Sequence, residues 1–137
     1  MNHIPRIARC LLLPTWVLAS HLIASKVLNL YAVFPHLDVP FHLLGGASIA
    51  IAGSRALAYM QSQRWIAVLD RFSVTAAQIA LTATAAILWE LVEFAFDHAF
   101  GTNMQISLAN TMQDQFMGVL GACLVGLYAG RIASIRK

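Results

Sequence analysis

Charged side chains are what this sequence has least of. They make up 11% of its 137 residues, against roughly a quarter in a soluble domain. Apolar residues make up 59% and the mean hydropathy is +0.69. A water-facing surface over most of the chain is thereby excluded, and the composition points to a lipid bilayer as the main solvent. Cysteine is also scarce. Cys10 and Cys123 both lie in apolar surroundings, which excludes a disulfide framework and a thiolate metal site and leaves them as small apolar side chains. The net charge of +3 comes from nine basic and six acidic residues. That excess is small and tied to segment ends, so nucleic-acid binding is excluded as well. Several motifs are missing: G-x-x-x-x-G-K, H-E-x-x-H and an E-x-x-H pair. No internal repeat, low-complexity tract or linker divides the chain, so residues 1–137 read as one transmembrane domain.

What is present is a series of long apolar runs. A membrane helix needs about 20 mostly apolar residues. Four segments qualify, about 7–34, 41–60, 74–96 and 107–133. "PHLDVP" is expected to separate the first two, because proline disfavours helix in the residue before it. "QSQRWIAVLDRFS" and "DHAFGTNMQI" form the other connections, and Ser107 is placed to cap the last helix. Arg6 and Arg9 followed by "LLLPTWVLA" also fit a cleaved leader, but the apolar run on to Phe34 suits a retained span better. The expected fold is therefore all-α: a polytopic membrane protein with four transmembrane helices in one bundle. Arg6 and Arg9 precede the first span, Arg64 and Arg71 separate the second from the third, and Arg131, Arg136 and Lys137 close the chain. Basic residues favour the cytoplasmic side, so both termini and the middle loop are expected there. Lys26 and Arg55 sit near span ends, where their heads can reach the interface.

This topology sorts the acids. Asp70 falls on the cytoplasmic side, whereas Asp38, Glu90, Glu93, Asp97 and Asp114 all fall towards the outer side. Glu90, Glu93 and Asp97 are spaced i, i+3, i+7 and share one helix face, which Gln78 and Thr82 extend. Asn110 and Asp114 share a face of the fourth span with Ser107. His42 stands at the outer start of the second span. Small residues continue these faces: Gly45, Gly46 and Gly53 on one span, Gly118 and Gly121 on another, where they allow helices to approach closely. By the helical rise, Glu90 lies about 9 Å and Asp114 about 10 Å below the outer ends of their spans. One layer pairing Glu90 with Asp114, beneath another of Glu93, Asn110 and His42, is feasible.

An ionised acid at the centre of a span costs about 2.5–3.5 kcal/mol on insertion scales. The acids must therefore face inward and be protonated, paired, or bathed in a water-filled cleft. No Lys or Arg lies on these faces, so a proton, a cation or a cationic ligand is called for. Asp38, His42, Glu90, Glu93, Asp97, Asn110 and Asp114 are the candidate ligand or cation-binding residues. His42, Glu90, Glu93 and Asp114 are the candidate metal ligands, for a divalent cation. His98 points off the Glu90 face, and His3 and His36 carry no signal. His21 reads as a helix contact, and Trp16, Trp65 and Trp89 read as packing or interface anchors.

"LDVPFHLLGG", "WELVEFAFDHAFG" and "NTMQDQFMGVLGACLVG" occur in that order. The trio resembles small membrane proteins of the VanZ-like and YjdF-like kind, over roughly Asp38 to Gly126. The matching positions are Asp38 and His42, Glu90 and Glu93, and Asp114 with Gly118, Gly121 and Ala122. Glu93 stands where VanZ proteins have Gln, the Lys after the first Asp is absent, and no Arg precedes the last Asp. This favours the YjdF-like side and weakens transfer of a glycopeptide-resistance role. The resemblance implies a membrane protein with an outward-facing polar site.

The sequence thus supports an inner-membrane, multi-pass protein of undefined activity whose outer cluster binds a cation or a polar envelope ligand. Two alternatives stand beside it: an intramembrane enzyme acting on a lipid-linked substrate, and a small cation- or proton-coupled transporter. Membrane lipid is the expected partner, together with a second copy of the chain in a homodimer. No catalytic residue is assigned.

Overall fold

The computed structural model of the protein describes residues 4–135. His3, Arg136 and Lys137, read above from the sequence, lie outside them, as does the side chain of Arg131. The described residues form helices α1 (Ile4–Cys10), α2 (Leu12–Leu22), α3 (Asp38–Ser62), α4 (Arg71–Phe100) and α5 (Leu108–Ile135), with no strand among them.

The first apolar run is not one continuous helix. Pro14 lacks the N–H that would bond Cys10, and its ring crowds that carbonyl. The chain accordingly breaks at Leu11, between α1 and α2. Past Leu22 the helix widens into a π turn over Ile23–Val27, closed by Leu28 N–H on Ile23 O at 2.9 Å. Asn29 then adopts a left-handed conformation (φ 48°), which asparagine tolerates better than most residues. Two short 3-10 turns lead into α3. That helix starts at Asp38, earlier than expected, because Pro40 falls in its first turn, where an N–H has no partner to lose.

α4 is uninterrupted because no Pro or Gly occurs from Arg71 to Phe100. Asp70 caps it, accepting the Ser73 backbone N–H at 3.0 Å and the Ser73 hydroxyl at 2.7 Å. These bonds, the backbone one foremost, hold the Asp70 carboxyl below the usual carboxylate range. Gly101 ends α4 with φ 64°, its N–H on Asp97 O. The "DHAF" of the expected connection is therefore the last turn of α4. Ser107 Oγ accepts the Asn110 N–H at 3.1 Å and starts α5.

Packing follows the small residues. A Cβ added to Gly46 would fall on the backbone of Gly118, and one on Gly121 would fall on the backbone of Leu43 and Ala47. Ala50 and Ala122, four residues beyond Gly46 and Gly118, are fully buried. α3 and α5 thus run parallel in close contact along a small-x-x-x-small seam. α4 is antiparallel to both: its Gln78 meets Ser54 of α3, and its Ala86 faces Gly118 of α5. Gly53 sits against Leu81, but Gly45 has open space around it.

The interior is polar and the exterior apolar. Among the described residues the buried apolar ones are four alanines, whereas Ser48, Gln78, Thr82, Glu90, Glu93 and Asp114 are buried too. Trp16, Phe94, Phe100, Phe116 and many leucines are exposed. Water would penalise such a surface, and lipid would not. Outward hydroxyls are satisfied locally: Thr15, Ser20 and Thr84 each donate to the carbonyl four residues back. Among the described residues α3 and α4 are long and apolar enough to cross a membrane, with hydropathies of 1.3 and 1.7, and Leu12–Val27 is a shorter apolar helix.

Candidate functional site

The starts of α3 and α5 and the last third of α4 meet at one end of the bundle, with the end of α2 beside them. Asp38 and His42 are one turn apart on α3, and His42 Nε2 lies 3.4 Å from Asp38 Oδ1. The parallel seam brings Asp114 of α5 alongside, its Oδ1 3.9 Å from the same nitrogen. One ligand atom from each of Asp38, His42 and Asp114 fits within 4.8 Å of the others. Ligands about 2.0–2.2 Å from a tetrahedral ion stand roughly 3.4 Å apart. The trio therefore needs only a small contraction to hold a divalent cation.

Neighbouring groups aim these ligands. Asn110 Nδ2 donates to Asp114 Oδ2 at 2.8 Å, which leaves Oδ1 towards His42. Asp114 is only 2% exposed, and its Oδ1 has no hydrogen-bond partner. A buried carboxylate oxygen in that state calls for a proton or a cation. The Tyr31 hydroxyl donates to Asp38 Oδ1 at 3.2 Å and lies 2.9 Å from His21 Nδ1. A phenol has one proton to give. With Tyr31 O–H directed at Asp38, the His21 tautomer that completes the chain carries its proton on Nδ1 and donates to the Tyr31 oxygen. The chain His21–Tyr31–Asp38 is the kind of outer shell that orients a metal-binding carboxylate.

Glu90 and Glu93 stand beside this trio with other partners. Glu90 is 5% and Glu93 7% exposed. Glu90 Oε2 accepts Gln105 Nε2 at 2.9 Å, and Glu90 Oε1 is buried without a partner. Glu93 Oε1 accepts Trp89 Nε1 at 2.8 Å. The expected pairing of Glu90 with Asp114 is replaced by a bond to the loop before α5. Asp97 is engaged differently again. Its carboxylate accepts Thr102 Oγ1 at 2.6 Å and the N–H groups of Met104 and Gln105 at 2.7 and 2.9 Å. It shapes the loop that delivers Gln105. His98 is exposed and stacks on Phe94, away from the cluster. The α4 stripe continues downward through Thr82 and Gln78, the latter donating to Ser54.

Four participants were not among the expected site residues. Gln105 lies in the connection before α5, and Tyr31 lies in a 3-10 turn where the first expected span, 7–34, ran on as helix, so no face argument reached them. His21 was read as a helix contact, yet its ring meets Tyr31, Phe41, His42 and Trp89 edge-on. Trp89 was read as an anchor, but its indole serves Glu93. An i, i+4 relation between Trp89 and Glu93 was the available signal.

A helical chain with an apolar exterior, a buried carboxylate–imidazole cluster and helices of spanning length has the build of a membrane protein. The family described as "Predicted membrane protein (DUF2238)" matches residues 3–134, and the chain belongs to it. No curated protein and no solved structure matches the chain.

Proposed function

We propose that the protein is a four-span, multi-pass protein of the inner membrane that binds a divalent cation at Asp38, His42 and Asp114, near its outer face. Both termini are cytoplasmic in this reading, and the resemblance to YjdF-like proteins is in keeping with it. The observation that carries it is the convergence of three ligand atoms on one point, one of them a buried Asp114 oxygen with no partner. Imidazole with two carboxylates suits zinc or manganese better than magnesium. Three protein ligands leave a coordination position open for water or a ligand. Glu90, Glu93 and Asn110 set the charge and hydrogen bonding around the ion, while Asp97 acts through the loop.

Titration of metal-stripped protein with Zn²⁺ tests this. One ion per chain is expected, bound more tightly than Mn²⁺ in line with the general affinity order. Asp114→Asn should weaken binding by about tenfold or more, a change of roughly 1.4 kcal/mol. Zinc uptake that is absent in the wild type, or unchanged in Asp114→Asn, would remove the proposal.

One observation favours a second reading, metal-assisted chemistry on a lipid-linked substrate. Glu90 Oε1 is buried, unpartnered and within electrostatic reach of His42 and Asp114. A carboxylate so placed can serve as a base towards a ligand held at the open position.

A further inference from the structure

A cavity of about 370 Å³ lies between α2, α3, α4 and α5, and it ends at the cluster. Its walls are mostly apolar, with Leu18 on α2, Ile49 on α3 and Ala85 on α4 among them; His21 and His42 stand at its polar end. The volume is in the range of ligand pockets. Walls so largely apolar offer water few hydrogen-bond partners. Its shape is long rather than round. Lining residues run from Leu11 to His21 on α2 and from His42 to Ile49 on α3, which is roughly 10–15 Å along the helix axes. Leu11, Thr15 and Leu18 of the α2 wall are exposed on the outside of the bundle, the side that faces lipid. A slot that is narrow, apolar, parallel to the helices and reachable from the bilayer fits a hydrocarbon tail.

The polar end defines the headgroup. His42 both lines the cavity and belongs to the cation trio. His42 thereby brings the polar end of the slot up to the ion, whose open coordination position suits a phosphate oxygen. Charge decides among phospholipids. Asp38, Asp114, Glu90 and Glu93 supply four carboxylates where a divalent ion supplies two positive charges, and among the described residues only histidines form ion pairs with them, Lys26 acting on His21 and Asp97. A zwitterionic headgroup adds no net charge to that excess, and its ammonium offers the donor that buried Glu90 Oε1 lacks. An anionic headgroup would add to it.

We propose that this cavity holds one acyl chain of an amine-bearing zwitterionic phospholipid, whose phosphate completes the coordination of a cation at Asp38, His42 and Asp114. The inference rests on the proposed cation site. The ammonium pairs with Glu90, and the chain lies between α2 and α4.

Native mass spectrometry of protein from nanodiscs holding equimolar phosphatidylethanolamine and phosphatidylglycerol, with matched chains, separates the two ideas. Metal and lipid are read as separate mass increments. Zinc-loaded wild type should retain one phosphatidylethanolamine, at least about tenfold in excess over phosphatidylglycerol. Ala85→Phe fills the slot from α4 and should lose the lipid while keeping the zinc. Thr15→Phe, from the α2 wall, should do the same and stands in if Ala85→Phe does not fold. Equal retention of both lipids, lipid retained in both filled variants, or lipid retained equally after zinc removal would overturn the inference. Absence of the zinc increment itself would overturn the cation site instead.

Discussion

Gln105 joins two parts of the molecule that are 15 residues apart, its amide on both the Glu90 carboxylate and the Glu90 carbonyl. Removing that amide by Gln105→Ala leaves a second buried Glu90 oxygen without a partner. Such a loss costs about 1–3 kcal/mol, read as a lower unfolding midpoint in detergent. Asp97 acts one step earlier, through the loop. Asp97→Ala should speed hydrogen exchange at the Met104 and Gln105 amides while the amides of the α3 core keep their protection. Equal exchange in wild type and variant would mean that the carboxylate does not hold the loop. Glu90 and Glu93 were legible as buried residues because helical spacing places them on one face. The Glu90 partner Gln105 and the Asp38 partner Tyr31 were not, because they belong to connecting segments whose geometry depends on Asp97 and on the left-handed Asn29. Asp38 was expected among the ligand-binding candidates, but not among the metal candidates. Only the break before α3 shows that it starts the helix, one turn from His42.

At the scale of the element, the seam between α3 and α5 fixes the cluster. Gly46→Ala would drive a methyl group into the Gly118 backbone, and overpacking of this kind costs about 1–3 kcal/mol or more. Gly45→Ala meets open space and should be near neutral. If both variants melt alike, the seam is not the tight contact described here. The sequence marks both glycines equally, since a glycine-rich stretch does not say which member faces the neighbour. The Asp70 cap gives a pH-dependent test of α4. A carboxyl held below its usual range adds stability above its ordinary pKa of about 3.9, and this is lost as pH falls through the lowered value. Asp70→Ala should therefore lower the midpoint at pH 7, with the difference from wild type shrinking in strong acid. The third span was legible from its apolar run, but α4 extends past the expected 74–96 at both ends, where Asp70 and Gly101 set its limits. The broken first segment was not, because its composition hides the effect of Pro14 on Cys10.

The whole molecule is organised by its solvent. Polar side chains are gathered inside and large apolar ones turned outward, so the bundle is held by small-residue contacts and hydrogen bonds rather than by a leucine core. Its topology can be tested with fusions. Alkaline phosphatase joined after Asn103 should be active, and joined after Arg64 inactive; the reverse would place the cluster on the cytoplasmic side. The account stands most directly on the cation site. X-ray absorption at the zinc edge of the loaded protein should show imidazole and carboxylate ligands at about 2.0–2.2 Å, with the imidazole signature lost in His42→Ala. A shell without imidazole, or with sulfur from Cys10 or Cys123, would contradict it.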